Sequence, residues 1–190
     1  MAEKFKVEVH SEPYPTASAK SRLLILTLAL AFVIVVLDQI TKYAVRLSFS
    51  LGESKTVLSS FFNLTYVRNT GAVWGWFQHQ NEWLVLVSLV VLFMMVFFYY
   101  YLVNGQALCS VAIGCITGGI IGNLIDRIRL GWVTDFLDFY LHDSHWPSFN
   151  IADSAICMGV CFYLLVSLLP LGSFICHSRA SRCEKQSRRE

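Results

Sequence analysis

Apolar residues along the chain fall into four long blocks separated by polar stretches. The first runs from Leu23 to about Val45 and is interrupted late by Asp38 and Lys42. The second, Trp83 to Val103, carries no charge. The third, Ala107 to Ile125, ends against Asp126 and Arg127. The fourth, Ile151 to Leu169, has Asp153 near its start and Pro170 after it. Crossing the hydrocarbon of a bilayer takes about 20 mostly apolar residues in a helix, and an isolated strand would leave its backbone groups unpaired in lipid. The pattern therefore predicts four transmembrane helices. Leu23–Leu37 alone is short enough for a cleaved leader. The polar segment before it is long for that, and Asp38, Lys42 and Arg46 stand where a cleavage site would be, so a retained helix is the better reading.

The distribution of Lys and Arg sets the orientation. Lys4, Lys6, Lys20 and Arg22 precede the first block, and Arg179, Arg182, Lys185, Arg188 and Arg189 follow the last. Four crossings put both tails on one side, with most of the 15 basic residues and the short Asn104–Gln106 turn. That side is predicted to be cytoplasmic, and loops of about 46–82 and 126–150 to face outward. The expected organisation is a tail over 1–22, a transmembrane domain over 23–172 and a basic tail over 173–190, suited to solvent or a lipid surface.

Composition agrees. Only 15% of residues are charged against 55% hydrophobic, and mean hydropathy is +0.54, which excludes a disordered chain and argues against a water-soluble globule. A net charge of +2 is too balanced for a nucleic-acid binder. The six cysteines avoid the outer loops and form no C-x-x-C, so neither a disulfide framework nor a zinc site is expected. Cys157 and Cys161 share a helix face and read as small packing residues.

On this map the unusual polar residues gather at one membrane face. Asp38 and Lys42 lie at the outer end of the first span, and Asn123, Asp126 and Arg127 at the outer end of the third. Asn150 and Asp153 open the fourth. The run Arg68-Asn69-Thr70-Gly71 and the acids Asp135, Asp138 and Asp143 lie in the outer loops. Ionisable groups near a membrane are costly and point to function. Each cluster also has a plainer reading. Asp38 and Lys42, four apart, could be an ion pair. Asn123, Asp126 and Arg127 share one face of a helix end and read as an organising network. Asn150 reads as an N-cap with Asp153 completing a capping box. Asp138 and Asp143 read as ordinary loop carboxylates. Asp135, between Gly131-Trp132-Val133-Thr134 and Phe136-Leu137, is harder to treat as a solvated acid. Gly114, Gly118 and Gly122 recur every four residues beside Gly119, which predicts close packing of the third span at the centre of the bundle.

Two carboxylates at a wet membrane edge can share a proton, one acting as general base on water while the other polarises a carbonyl. His79, His142 and His145 lie in the outer loops without a matched nucleophile, and no H-E-x-x-H, phosphate loop or dinucleotide fingerprint is present. Chemistry alone leaves an aspartate-based hydrolase and a proton-coupled carrier using Asp38, Asp126 and Asp153 both open. The carrier predicts acids spread through the membrane depth or an inverted repeat. An assembly module packing through the glycine face would leave the outer aspartates unexplained.

Five runs in order carry a resemblance. They are Asp38-Gln39-Ile40-Thr41-Lys42, Asn69-Thr70-Gly71-Ala72, Gly118-Gly119-Ile120-Ile121-Gly122-Asn123-Leu124-Ile125-Asp126-Arg127, Val133-Thr134-Asp135-Phe136-Leu137-Asp138 and Phe149-Asn150-Ile151-Ala152-Asp153. With four spans between them, the chain resembles the lipoprotein signal peptidase (signal peptidase II) family over its membrane region, the tails excepted. The resemblance implies an all-α membrane protein of four transmembrane helices with a small extracytoplasmic β-structure, which Phe62–Val67 and Trp132–Phe136 would suit, and a short surface helix. It implies an aspartic endopeptidase of the bacterial plasma (inner) membrane, with its site at the outer (periplasmic) face. The enzyme would cut prolipoproteins just before a diacylglyceryl-modified cysteine. Asp135 and Asp153 take the catalytic positions; Asp38, Lys42, Asn69, Gly71, Asn123, Asp126, Arg127 and Asn150 take supporting and substrate-binding ones. It implies no cofactor and no metal, membrane lipids and lipidated precursors as partners, and action as a monomer. Val73-Trp74-Gly75 departs from the Ala-Phe that the family commonly has after Asn69-Thr70-Gly71-Ala72, a bulkier run with consequences for a covering loop.

Overall fold

A computed structural model describes residues 16–71, 80–142 and 144–168. Most of both tails, Val73-Trp74-Gly75, His79, Asp143 and Pro170 lie outside the described residues. Among the described residues, five helices and four strands follow in order. They are α1 (Ala17–Ser48), β1 (Ser54–Leu58), β2 (Phe62–Asn69), α2 (Asn81–Phe97), α3 (Tyr99–Val103), α4 (Ala107–Leu130), β3 (Val133–Leu141), β4 (Ser144–His145) and α5 (Ile151–Leu168).

The apolar blocks are all helical, but their edges differ from the expected ones. Thr16 caps α1, its hydroxyl accepting from Ala19 N at 3.3 Å, so the helix begins within the segment read as a tail. The third block does not stop at Ile125: α4 continues to Leu130 and closes at Gly131, left-handed at φ 83°. Asp126 and Arg127 therefore stand inside a helix, not at the start of a loop. The second block is divided at Phe98 into a 17-residue helix and a single further turn, which ends at Asn104 in a left-handed conformation. Among the described residues, three helices (α1, α4 and α5) are long and apolar enough to cross a membrane.

α4 is the central helix, as its glycines predicted. A Cβ on Gly118 would lie 2.8 Å from Ala31 O and 2.9 Å from Ile34 Cβ on α1. On the opposite side, a Cβ on Gly119 would run into Ala152 O of α5. Glycine is needed because these backbones nearly touch. Large apolar residues such as Phe32, Val96 and Leu168 are exposed on the outside of the bundle, as a lipid-facing surface requires.

The strands form one antiparallel sheet in the order β1-β2-β3-β4. Both strands anticipated from the sequence are present and longer than expected; β1 and β4 were not anticipated. Val67 pairs with Asp135 and Asn69 with Val133, which sets Asn69 beside the acid on the neighbouring strand. Val45, Tyr66 and Phe136 form a small core joining the sheet to the end of α1. No separate surface helix occurs among the described residues.

Candidate active site

The ends of α1 and α4, the start of α5 and the strands β2 and β3 meet at one end of the bundle. The innermost group is an ion pair: Lys42 Nζ lies 2.8 Å from Asp38 Oδ2, and both side chains are fully buried. The plain reading of this pair as structural is sound, but the pair also reaches outward. Asp38 Oδ1 accepts from Ala152 N of α5 at 3.0 Å, and Lys42 Nζ donates to Asn123 Oδ1 on α4 at 2.9 Å. One buried pair thus ties three helices. A buried charge is tolerated only when paired and hydrogen-bonded, and Lys42 has both in Asp38 and Asn123.

Asp126, one helical turn from Asn123, organises a second layer. Its Oδ2 accepts from Thr134 N at the start of β3 at 3.0 Å, and Lys42 and Arg46 each approach its carboxylate to 3.7 Å. Arg46 also donates to Thr134 Oγ1 at 3.0 Å, and Gln39 Nε2 spans Asp38, Gly122 O and Asp126. Arg46, Thr134 and Gln39 were not anticipated as site residues. Arg46 was visible only as a polar residue after the first span, and Thr134 acts through both its backbone N–H and its hydroxyl. The expected organising network is therefore present, with Asp126 as its acceptor on behalf of β3.

The outermost layer holds Asp135 and Asp153. Asp135 accepts from Asn69 Nδ2 at 2.9 Å and from Asn150 Nδ2 at 2.7 Å, one bond to each carboxylate oxygen. Asp153 Oδ1 accepts from Asn123 Nδ2 at 2.7 Å, while its Oδ2 accepts from Asn150 N at 3.2 Å. Asn150 Oδ1 in turn accepts from Asp153 N at 3.0 Å, the reciprocal arrangement of a capping box. The capping box expected at Asp153 is present, and the same side chain borders a cavity shared with Asp135. Three asparagines thus hold two acids, each amide offering a donor and an acceptor at once.

Both acids line one cavity of about 610 Å³, so they do not lie on opposite sides of the bundle. Burial, and then the charge of Asp153 nearby, push the Asp135 carboxyl from an ordinary 3.8 up to about 7. Hydrogen bonds from Asn69 and Asn150 and the charge of Lys42 act in the opposite direction. Near neutral pH this group can therefore hold a proton.

Gly71 and Arg127 border the same cavity. Arg127 donates to Gly71 O at 2.9 Å and its backbone oxygen accepts from Asn81 Nδ2 at 3.2 Å. Its Nη1 is buried with no hydrogen-bond partner among the described residues. Asn69 Oδ1 accepts from Gly71 N at 2.9 Å, so the amide that contacts Asp135 is braced by the turn after it. All ten residues singled out from the sequence are thus brought to one end of the bundle. The acids are not distributed through its depth, as a proton-coupled carrier would have them.

Two expectations are corrected. Asp138 is not an ordinary loop carboxylate: it is buried in β3 and accepts from Asn63 and Thr65, each at 3.3 Å, and pairs with His145 Nδ1 at 2.9 Å. Its place within the apolar run Phe136-Leu137 and Phe139-Tyr140 was the available signal. Cys157 and Cys161 are exposed rather than packed, and Cys157 borders the cavity one turn from Asp153.

A family model described as signal peptidase (SPase) II matches residues 30–169. The chain is 43% identical over 129 residues to the lipoprotein signal peptidase of Geobacter sulfurreducens, covering 66% of this chain and 81% of that one. With the lipoprotein signal peptidase of Paraburkholderia phytofirmans it shares 38% identity over 166 residues, covering 83% and 93%. Its fold is similar to that of a bacterial membrane enzyme solved by the in meso method at 2.3 Å resolution, with a TM-score of 0.70 and 32% identity, covering 75% and 87%. A second such structure, at 1.9 Å resolution, gives a TM-score of 0.68 and 33% identity, covering 75% and 92%.

Proposed function

Since this chain belongs to the lipoprotein signal peptidase (signal peptidase II) family, we propose that it hydrolyses its substrate with Asp135 and Asp153 as a metal-free aspartate dyad. The observation that carries the reading is the shared cavity, in which Asn150 bonds Asp135 with its amide and Asp153 through the helix cap.

The chemistry follows from two acids sharing a proton. The ionised carboxylate takes a proton from water as the water oxygen attacks the scissile carbonyl carbon. The protonated carboxyl gives its proton to the carbonyl oxygen. The resulting diol collapses: the C–N bond breaks, the leaving nitrogen takes the proton that came from water, and one diol hydroxyl returns its proton to the other acid. A carboxylic acid and an amine leave, and the dyad regains its starting state. Because the raised pKa belongs to the pair, base and acid are roles of the dyad, not of one residue.

The substrate is a prolipoprotein whose cysteine carries diacylglycerol, cut immediately before that cysteine. Acyl chains anchor such a bond at the membrane interface, so the acids must stand at that depth. The clustering of the site at one end of the bundle suits this requirement. In the same reading α2 and α3 together make a fourth crossing, both tails are cytoplasmic and the sheet lies at the outer face of a bacterial inner membrane. In this reading the chain acts as a monomer. The test is cleavage of a lipidated precursor by purified Asp135→Asn and Asp153→Asn. Full turnover by either folded variant refutes the dyad.

A further inference from the structure

A second polar cluster lies within the sheet and has no direct bond to either acid of the site. It crosses all four strands: the Ser54 and Thr65 hydroxyls are 2.8 Å apart, Thr65 and Asn63 donate to Asp138 Oδ2, and His145 Nδ1 meets Asp138 Oδ1 at 2.9 Å. An ionised carboxylate only accepts, so His145 is the donor in this contact. The imidazole also stacks on Tyr140, with centroids 5.0 Å apart and planes 12° from parallel.

What His145 adjoins gives the cluster its meaning. Trp146, Pro147, Ser148 and Phe149, the next four residues, all border the cavity that holds Asp135 and Asp153. This arch is pinned at both ends: Trp146 N donates to Phe139 O at 2.8 Å, and Phe149 exchanges bonds with Leu137 at 2.8 and 3.1 Å. Between them Pro147 has no N–H to give. The strand leading into the arch, β4, has only two residues and pairs only with the end of β3. So short a pairing holds its register weakly. The bond to a buried acid, itself fixed by two donors on β2, adds a side-chain anchor to these few backbone bonds.

We propose that His145, through its hydrogen bond to Asp138, is a positioning residue that holds the Trp146–Phe149 arch as an apolar wall of the cavity and so governs binding of the apolar, lipid-modified substrate. The proposal rests on the peptidase reading above. It assigns His145 to binding, not to the proton transfers.

Two substitutions separate the bond from the stack. His145→Phe keeps a ring over Tyr140 and removes the donor to Asp138. His145→Asn keeps a donor near the position of Nδ1 and removes the stack. The measurement is steady-state cleavage of a lipidated prolipoprotein in detergent micelles, with thermal unfolding of each purified variant as a check of folding. His145→Phe should raise KM about fivefold, the scale of one partly solvated hydrogen bond to a charged group, with kcat within about twofold. His145→Asn should keep KM within about twofold of the parent. An unchanged KM in His145→Phe, a loss confined to kcat, or an equal rise in His145→Asn overturns the positioning role. Full cleavage by Asp135→Asn would instead overturn the dyad and leave the His145 comparison intact, so the two failures are distinguishable.

Discussion

Asn150 and Asp153 are bonded to each other twice, each backbone N–H donating to the other's side chain, at 3.2 and 3.0 Å. The cap of α5 and the mouth of the site are one object. An acid at this helical position is favoured by the helix dipole as well as by its cap. The remaining oxygen of Asp153 is held by Asn123, and the amide of Asn150 reaches Asp135. Fold stability and site geometry are therefore shared by a few atoms.

The isosteric changes Asp135→Asn and Asp153→Asn keep shape and remove the proton exchange. Each should lower kcat by at least about a hundredfold, the usual scale for general acid–base catalysis. Asp153→Asn can still accept at the cap through its amide oxygen, so it should unfold at a temperature close to that of the parent. A detergent-solubilised melt paired with precursor cleavage checks both halves.

The pH profile should have an alkaline limb. A dyad that needs one proton loses it as pH rises through the raised value of Asp135, about 7, so kcat/KM should fall above that pH. Asn69 donates to Asp135 and holds its value down. Asn69→Ala should therefore move the limb to higher pH. A limb that stays in place or moves down would contradict the assignment.

Lys42→Met should be severe for stability. It leaves Asp38 fully buried without its counter-charge, a loss of about 3–5 kcal/mol for a broken buried pair. Asp38→Asn combined with Lys42→Met removes both charges and should recover part of that loss. Thermal unfolding of the single and double variants measures the difference.

Gly118→Ala and Gly119→Ala, adjacent in sequence, should differ in kind. The first presses on Ala31 and Ile34 of α1 and should cost about 1–3 kcal/mol of stability, with activity per folded molecule retained. The second presses on Ala152 O and Ile156, in the helix that carries Asp153, and should also lower kcat. Unfolding temperature and kcat measured together distinguish the two.

Much of this was legible in the residues themselves because lipid imposes long apolar runs, so each polar interruption stands out. Asp38, Asn123, Asp126 and Asp153 were conspicuous for that reason, and their gathering at one end of the bundle followed from the topology of the spans. The glycine spacing likewise announced the central helix. The sheet was less visible. β1 is exposed along its whole length and β4 has two residues, so neither shows the alternation that marks a half-buried strand. Asp138 was misread because its burial depends on partners on β2 and β4. The backbone N–H of Thr134 and the backbone oxygen of Arg127, which accepts from the Asn81 side chain, left no mark in residue type.

The bond from Ala152 N to Asp38 Oδ1 joins residues 114 positions apart, and it carries a lesson about biogenesis. The first helix leaves the ribosome early with an acid, Asp38, whose neighbours Gly122 on α4 and Ala152 on α5 do not yet exist. Asp153 and its cap are synthesised late, so a nascent chain that has threaded only its earlier segments into the bilayer has no assembled hydrolytic centre. On the proposed dyad, activity therefore waits for the docking of α5.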